Sequence, residues 1–221
     1  MLGLQDNVIY IIVYSYEVIF NMKKRYLLNY TLPELKELIL ELGLQRFVAD
    51  QLFQWIHKKF VFDFNDMSNL SKKSREILEK NFIVQPMKEV KCFHSAEENA
   101  SKTIFSLSDN LSVESVILRE KNYYTLCVSS QVGCPVDCKF CLTGVAGFKR
   151  NLEVSEIVFQ ILSANQKGYP ISNLVFMGMG EPLLNYKNVL KAIGLLTSEE
   201  GCDISKRKVT VSTAGYMAGI Q

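Results

Sequence analysis

Apolar positions change their period along this chain, and the change divides it. In TLPELKELILELGL, residues Leu35, Leu38, Ile39 and Leu42 recur at helical spacing, with Thr31 at the cap, Pro33 in the first turn and Gly43 at the stop. FVADQLFQWIHKK, residues 47–59, repeats the pattern, and SNLSKKSREILEKNF adds a third helix capped by Ser71. Residues 22–100 therefore read as an N-terminal domain built mainly of helices. Over residues 101–119 the period shortens to that of strands. KTIFSLSDNLSVESVILRE holds two strand-like runs around Ser-Asp-Asn, the pattern of a hairpin.

Beyond the hairpin, strands and helices alternate: TLCVSSQ, a cysteine-rich loop, SEIVFQILSANQKG, NLVFMGMGEP, NYKNVLKAIGLLTS and KVTVSTAG. Successive βα units require right-handed crossovers and hence parallel strands, with ligands expected at the strands' C-terminal ends. The expected fold class is α/β: a small helical domain, a hairpin, then over residues 101–221 the first half of a partial TIM-like βα barrel.

The leading run VIYIIVYSYEVIF, Val8 to Phe20, is apolar but contains Glu17 and falls short of the roughly 20 residues a spanning helix needs. It has neither a basic segment ahead of it nor a small-residue cleavage site. Residues 1–21 are read as an upstream or disordered lead, with translation starting at Met22. Composition adds limits. With 25 basic and 23 acidic residues and 48% hydrophobic content, the chain is globular and has no bulk field for a polyanion. Residues 22–91 hold 13 Lys or Arg against 9 Asp or Glu, an excess that suits phosphate contact as well as it suits a solvated surface. Six cysteines with no secretory leader point to a reducing compartment, the cytoplasm, and to thiols used as ligands or catalysts.

Those thiols cluster in QVGCPVDCKFCLTG as C-x3-C-x2-C. Cys134, Cys138 and Cys141 suit three irons of a [4Fe–4S] cubane, leaving the fourth iron open to chelate the amino and carboxylate groups of S-adenosylmethionine. An electron passed through such a cluster cleaves the sulfonium to a 5′-deoxyadenosyl radical, the reaction of radical-SAM enzymes. Two alternatives stand beside it. A zinc site would need a fourth ligand, which neither His57 nor His94 supplies at the usual spacing, and Cys138 with Cys141 alone would make a redox dithiol. FMGMGEP follows one βα unit later. Gly178 and Gly180 permit a close backbone approach, Glu181 can accept from the cofactor's ammonium, and Ser212 ends the third parallel strand, where it serves the cofactor or caps a helix. Phe140 fits either an adenine contact or the core.

Together VESVIL, TLCVSSQVGCPVDCKFCLTG, FKRNLEVSEIV, MGMGEPLLN and SKRKVTVSTAG resemble the RlmN/Cfr family of radical-SAM RNA (adenine-C2) methyltransferases, and FVADQLFQWI resembles that family's N-terminal region. The resemblance runs from about Leu35 to Gly219. It implies a [4Fe–4S] cluster on the three cysteines and S-adenosylmethionine bound by Gly180, Glu181 and Ser212. It also implies Glu114 as proton acceptor and Cys127 as the thiol that pairs transiently with a methyl-carrying cysteine. Read from the residues alone, Glu114 is a solvated hairpin charge and Cys127 an inward strand position. The implied substrates are 23S ribosomal RNA and transfer RNA, each at an adenine unstacked into the site. The implied partner is an electron donor such as flavodoxin or ferredoxin, with no membrane and a monomeric chain. The family's methyl-carrying cysteine lies further toward the C-terminus, whereas the last cysteine here is Cys202. The expectation is thus of a C-terminally truncated member with an open sheet edge. Another radical-SAM enzyme acting on a peptide or small molecule, and a non-catalytic remnant, are the competing readings.

Overall fold

The computed structural model describes residues 24–216 apart from 96, 98 and 137; the apolar run of residues 8–20 lies outside the described residues. Three helices form the N-terminal unit: α1 (Leu32–Glu41), α2 (Phe47–His57) and α3 (Lys72–Asn81). Each starts and stops where local chemistry allows. The Thr31 N–H donates to Glu34 Oε2 at 2.7 Å, Ser71 Oγ accepts from the Ser74 N–H at 3.1 Å, and Gly43 leaves α1 with a φ of 71°. A two-residue parallel ladder of β1 (Arg25–Tyr26) and β2 (Phe82–Ile83) brackets the unit.

The remaining long strands join one six-stranded sheet. They are β3 (Met87–Ser95), β4 (Ala100–Leu107), β5 (Ser112–Arg119), β6 (Tyr124–Cys127), β9 (Ile171–Phe176) and β10 (Val209–Val211), in the spatial order β10-β9-β6-β5-β4-β3. A second short ladder, antiparallel β7 (Gln131–Val132) and β8 (Arg150–Asn151), lies within the loop that follows β6. The strands β6, β9 and β10 run parallel as their spacing predicts, and the hairpin β4–β5 pairs antiparallel with β6, so hairpin and half barrel are one continuous surface. The long strand β3 is not anticipated by the sequence pattern. It is exposed over most of its length and carries a register shift between Glu89 and Lys91, which breaks the alternation that marks a strand.

Two helices cross over between the parallel strands, α5 (Val154–Gln166) from β6 to β9 and α6 (Tyr186–Thr197) from β9 to β10; the one-turn α4 (Leu142–Val145) belongs to the cysteine loop. Every residue of α5 from Val154 to Ala164 is buried, because the helix is packed on two sides. Phe159 shows both: its ring lies 5.2 Å from Phe62 of the N-terminal unit and 6.4 Å from Phe105 of the sheet. Asn29 fastens the start of α5, donating to Glu153 Oε2 at 2.9 Å and accepting from the Ser155 N–H at 2.8 Å. The helical unit is therefore docked on the helix-covered face of the sheet, and the opposite face is left open.

In α2, His57 is buried and stacked on Phe53 with ring centroids 4.1 Å apart, and neither ring nitrogen has a hydrogen-bond partner among the described residues. Burial, with a smaller contribution from the Lys58 charge, pushes its pKa down to about 3. The unfolded chain takes up this proton near the ordinary histidine pKa of about 6.5, and the folded chain does not until about 3. Stability from this group is thus fully present above pH 6.5 and is lost on acidification toward pH 3, at up to about 1.4 kcal/mol per pH unit. Urea titrations at several pH values should show that slope and should show it reduced in His57→Phe.

Candidate active site

The site is assembled where the parallel strands end. After Cys127 the chain leaves β6 through Val128–Ser129–Ser130–Gln131, and after Phe176 it leaves β9 through Met177–Gly178–Met179–Gly180–Glu181. The two segments run against each other. The Val128 N–H donates to the Val175 carbonyl at 2.9 Å, the Gly178 N–H to the Val128 carbonyl at 3.1 Å, and the Ser130 N–H to the Met179 carbonyl at 2.8 Å. The approach requires glycine at both positions. A Cβ on Gly178 would stand 2.8 Å from the Val128 carbonyl, and one on Gly180, which has a φ of 99°, would stand 2.5 Å from Gln131 Cβ.

The cysteine loop is an excursion closed at its base. The β7–β8 ladder pairs Gln131 with Asn151 and Val132 with Arg150, and the Lys149 N–H donates to the Val132 carbonyl at 2.9 Å. Arg150 extends the clamp outward, with a bidentate pair to the buried Glu156 of α5 at 2.8 and 2.9 Å and a bond to Asp109 of the hairpin turn at 2.6 Å. These partners raise the Arg150 pKa further, and the Arg150 guanidinium in turn holds Asp109 below the usual carboxylate range. The loop is thus tied to the helix that follows it and to a hairpin that is distant along the chain.

Within the loop all three cysteines are free thiols of intermediate exposure. The backbone N–H groups of Gly144 and Thr143 lower the Cys141 pKa, favouring the thiolate that a metal would take. Cys134 is pushed up, first by burial and then by the neighbouring charges of Cys141, Cys138 and Glu181, which puts those four groups within electrostatic reach of one another. Among the described residues no three His, Cys, Asp or Glu side chains converge on one ion. A cubane asks for a wider spread, since each thiolate holds its own iron. Three free thiols, a favoured thiolate and glycine turns against the β6 exit fit an iron–sulfur cluster with S-adenosylmethionine.

Glu181 is buried, and its carboxylate accepts from the Leu183 N–H at 3.0 Å and from the Ala214 N–H at 2.7 Å, joining the end of β9 to the segment after β10. A carboxylate offers about four lone-pair positions, so capacity remains for an ammonium. Ser212 follows β10 directly and is exposed. The open sheet face carries the other pair. Cys127 lies opposite Val116, two residues from Glu114 on the same face of β5, and Lys102 of β4 reaches Glu114 Oε2 at 3.2 Å. Burial raises the Cys127 pKa, the Met177 backbone N–H opposes that rise, and the Glu114 charge adds to it. Phe140 is exposed on the loop, away from the core.

Several residues of the site are absent from the sequence reading. Ser129 donates to the Glu114 carbonyl at 2.6 Å and accepts from the Met179 N–H at 2.9 Å, linking β5, β6 and the glycine turn. Gln160 of α5 bonds both the N–H and the carbonyl of Ser129 at 3.0 Å. Gln131 accepts from the Glu181 N–H at 2.8 Å, and Asn185 donates to the Ser130 and Leu152 carbonyls at 2.7 and 2.8 Å. The available signal was Gln160 itself, an amide inside an otherwise apolar helical run, which needs buried partners.

A three-cysteine loop after the first parallel strand and a glycine turn after the second define a radical-SAM protein, and residues 128–219 match the Radical SAM superfamily. That superfamily implies an iron–sulfur cluster and S-adenosylmethionine. Residues 26–84 match the family described as the ribosomal RNA large subunit methyltransferase N-terminal domain, RlmN_N. The chain is 47% identical over 195 residues to the probable dual-specificity RNA methyltransferase RlmN of Aquifex aeolicus (strain VF5), covering 87% of this chain and 56% of that protein. It is 46% identical over 190 residues to the protein of the same description from Pseudothermotoga lettingae, covering 86% and 55%. The crystal structure of a radical SAM methyltransferase from Sphaerobacter thermophilus superposes with a TM-score of 0.82 at 35% identity, over 86% of this chain and 57% of that one. The chain belongs to the RlmN family, and it spans about half the length of the curated relatives it matches.

Proposed function

We propose that this chain holds a [4Fe–4S] cluster on Cys134, Cys138 and Cys141 and S-adenosylmethionine against Gly180, Glu181 and Ser212, and serves methylation of adenine C2 in RNA. The substrates are 23S ribosomal RNA and transfer RNA, as the family resemblance implies; the relatives are described as dual-specificity RNA methyltransferases. One observation carries the reading: the cysteine loop, the glycine turn and the Glu114–Cys127 pair all meet at the C-terminal ends of β6 and β9, around one open sheet face.

Adenine C2 is not nucleophilic, and the cluster, when bound, supplies the electron that splits S-adenosylmethionine to give the radical route around that barrier. The protein's own part is placement. Glu181, fixed by two backbone donors, presents lone pairs to the cofactor's ammonium, and Gly178 and Gly180 let the backbone lie close to it. Glu114, steadied by Lys102, is the proton acceptor on the open face. Burial keeps Cys127 as a thiol until it pairs transiently with the methyl-carrying cysteine that the resemblance places further C-terminal. Among the described residues no helix is long and apolar enough to cross a membrane.

The test uses the anaerobically reconstituted, reduced chain. It should form 5′-deoxyadenosine from S-adenosylmethionine, and Glu181→Gln should cut that rate by about tenfold or more, the cost of weakening one charge-assisted contact. RNA carrying 2-methyladenosine should be found by mass spectrometry once the C-terminal half of a relative is supplied. A brown, folded protein that leaves S-adenosylmethionine intact would overturn the proposal.

A further inference from the structure

The open sheet face continues past Glu114. Following the register outward from Cys127, the next residues in the same row are Val116 on β5, Lys102 on β4 and Phe93 on β3. The adjacent row runs from Glu114 through Ile104 to Lys91, and Lys88 lies beyond it opposite Ser106. Phe93 is 42% exposed, on the side of the sheet away from α5, so its ring has no core to enter. Lys91 Nζ stands 4.5 Å and Lys102 Nζ 5.8 Å from the ring centroid. Glu89 is paired from the other face, to Lys167. The strip thus presents one exposed aromatic among three cations, with Glu114 the carboxylate that anchors Lys102.

An exposed ring flanked by ammonium groups on a flat strand surface offers what an unpaired nucleotide needs: a stacking face and counter-charges for phosphate. We propose that Phe93, with Lys88, Lys91 and Lys102, forms a docking platform for a single-stranded stretch of the RNA substrate, one base stacking on Phe93. The platform rests on the RNA reading above and extends it. Phe93 is three strands from Cys127, about 14 Å at ordinary strand spacing, so one short strand can span both. Duplex RNA fits poorly, because its bases are already stacked on one another.

The experiment is fluorescence anisotropy with the full reconstituted chain and a labelled single-stranded RNA of about ten nucleotides. Phe93→Ala should weaken binding about tenfold, Phe93→Trp should retain it, and Lys91→Ala should flatten the plot of log affinity against log salt by about 0.7. Iron content and circular dichroism, measured alongside, should be unchanged. If RNA binds equally well to Phe93→Ala, or if a duplex competes as well as the single strand, the platform is wrong and the RNA reading stands. If the chain binds no RNA, both fall while formation of 5′-deoxyadenosine still reports on the radical-SAM reading.

Discussion

Cys138→Ala should yield a colourless protein, its iron falling from about four per chain to almost none after anaerobic reconstitution. The substitution is clean because the loop's backbone does not depend on the thiol. The Cys138 N–H donates to the Val136 carbonyl at 2.9 Å, and the Cys138 carbonyl accepts from the Cys141 N–H at 3.0 Å; alanine keeps both. What disappears is one of three thiolates, and with it an iron's only protein ligand. The remaining pair, Cys134 and Cys141, includes a thiol that burial pushes up, so it starts less ready to ionise. Cys202→Ala is the control. Its thiol is buried beside the core, with a pKa pushed up to about 12, and plays no part in the loop. Iron retained in Cys138→Ala, or stoichiometric zinc in place of iron in the parent chain, would sink the cluster assignment.

Much of this architecture was legible because it is written in local periods. The three N-terminal helices, the hairpin and the parallel strands follow from spacing, caps and breakers, and the C-x3-C-x2-C spacing marks its loop as a candidate ligand site. What escaped depends on contacts between distant segments. The strand β3 falls within the span read from the sequence as the helical domain, since its bulge at Glu89 and Lys91 breaks the alternation and most of it is exposed, yet it joins the six-stranded sheet. The proximity of Glu114 and Cys127 appears only when the register of β5 against β6 is known, so as isolated residues they read as a surface charge and a strand position. The clamp of Arg150 on Glu156 and Asp109 joins three elements, one of them 41 residues away, and no local rule finds it.

The second large effect concerns the neck of the cysteine loop, where two glycines with similar backbone angles differ in what surrounds them. Gly133 has a φ of 73° and Gly147 a φ of 70°, so alanine at either carries the left-handed backbone cost of about 1–2 kcal/mol. Only Gly133 is also in contact. A Cβ there would lie 1.8 Å from the Gly147 carbonyl oxygen and 2.8 Å from its carbon, whereas a Cβ on Gly147 meets nothing within 4 Å. The clash is with backbone, so no side chain can rotate out of the way, and the two arms of the loop must separate. Separation strains the Lys149 N–H to Val132 bond and the β7–β8 pairs, the contacts that set where the three thiols stand. Gly133→Ala should therefore lose well over half of its reconstituted iron and become sensitive to trypsin at Lys139 and Lys149, while Gly147→Ala keeps its iron and loses only about 1–2 kcal/mol in urea unfolding of the cluster-free chain. Equal iron in the two variants would show that the neck does not hold the cluster loop in place.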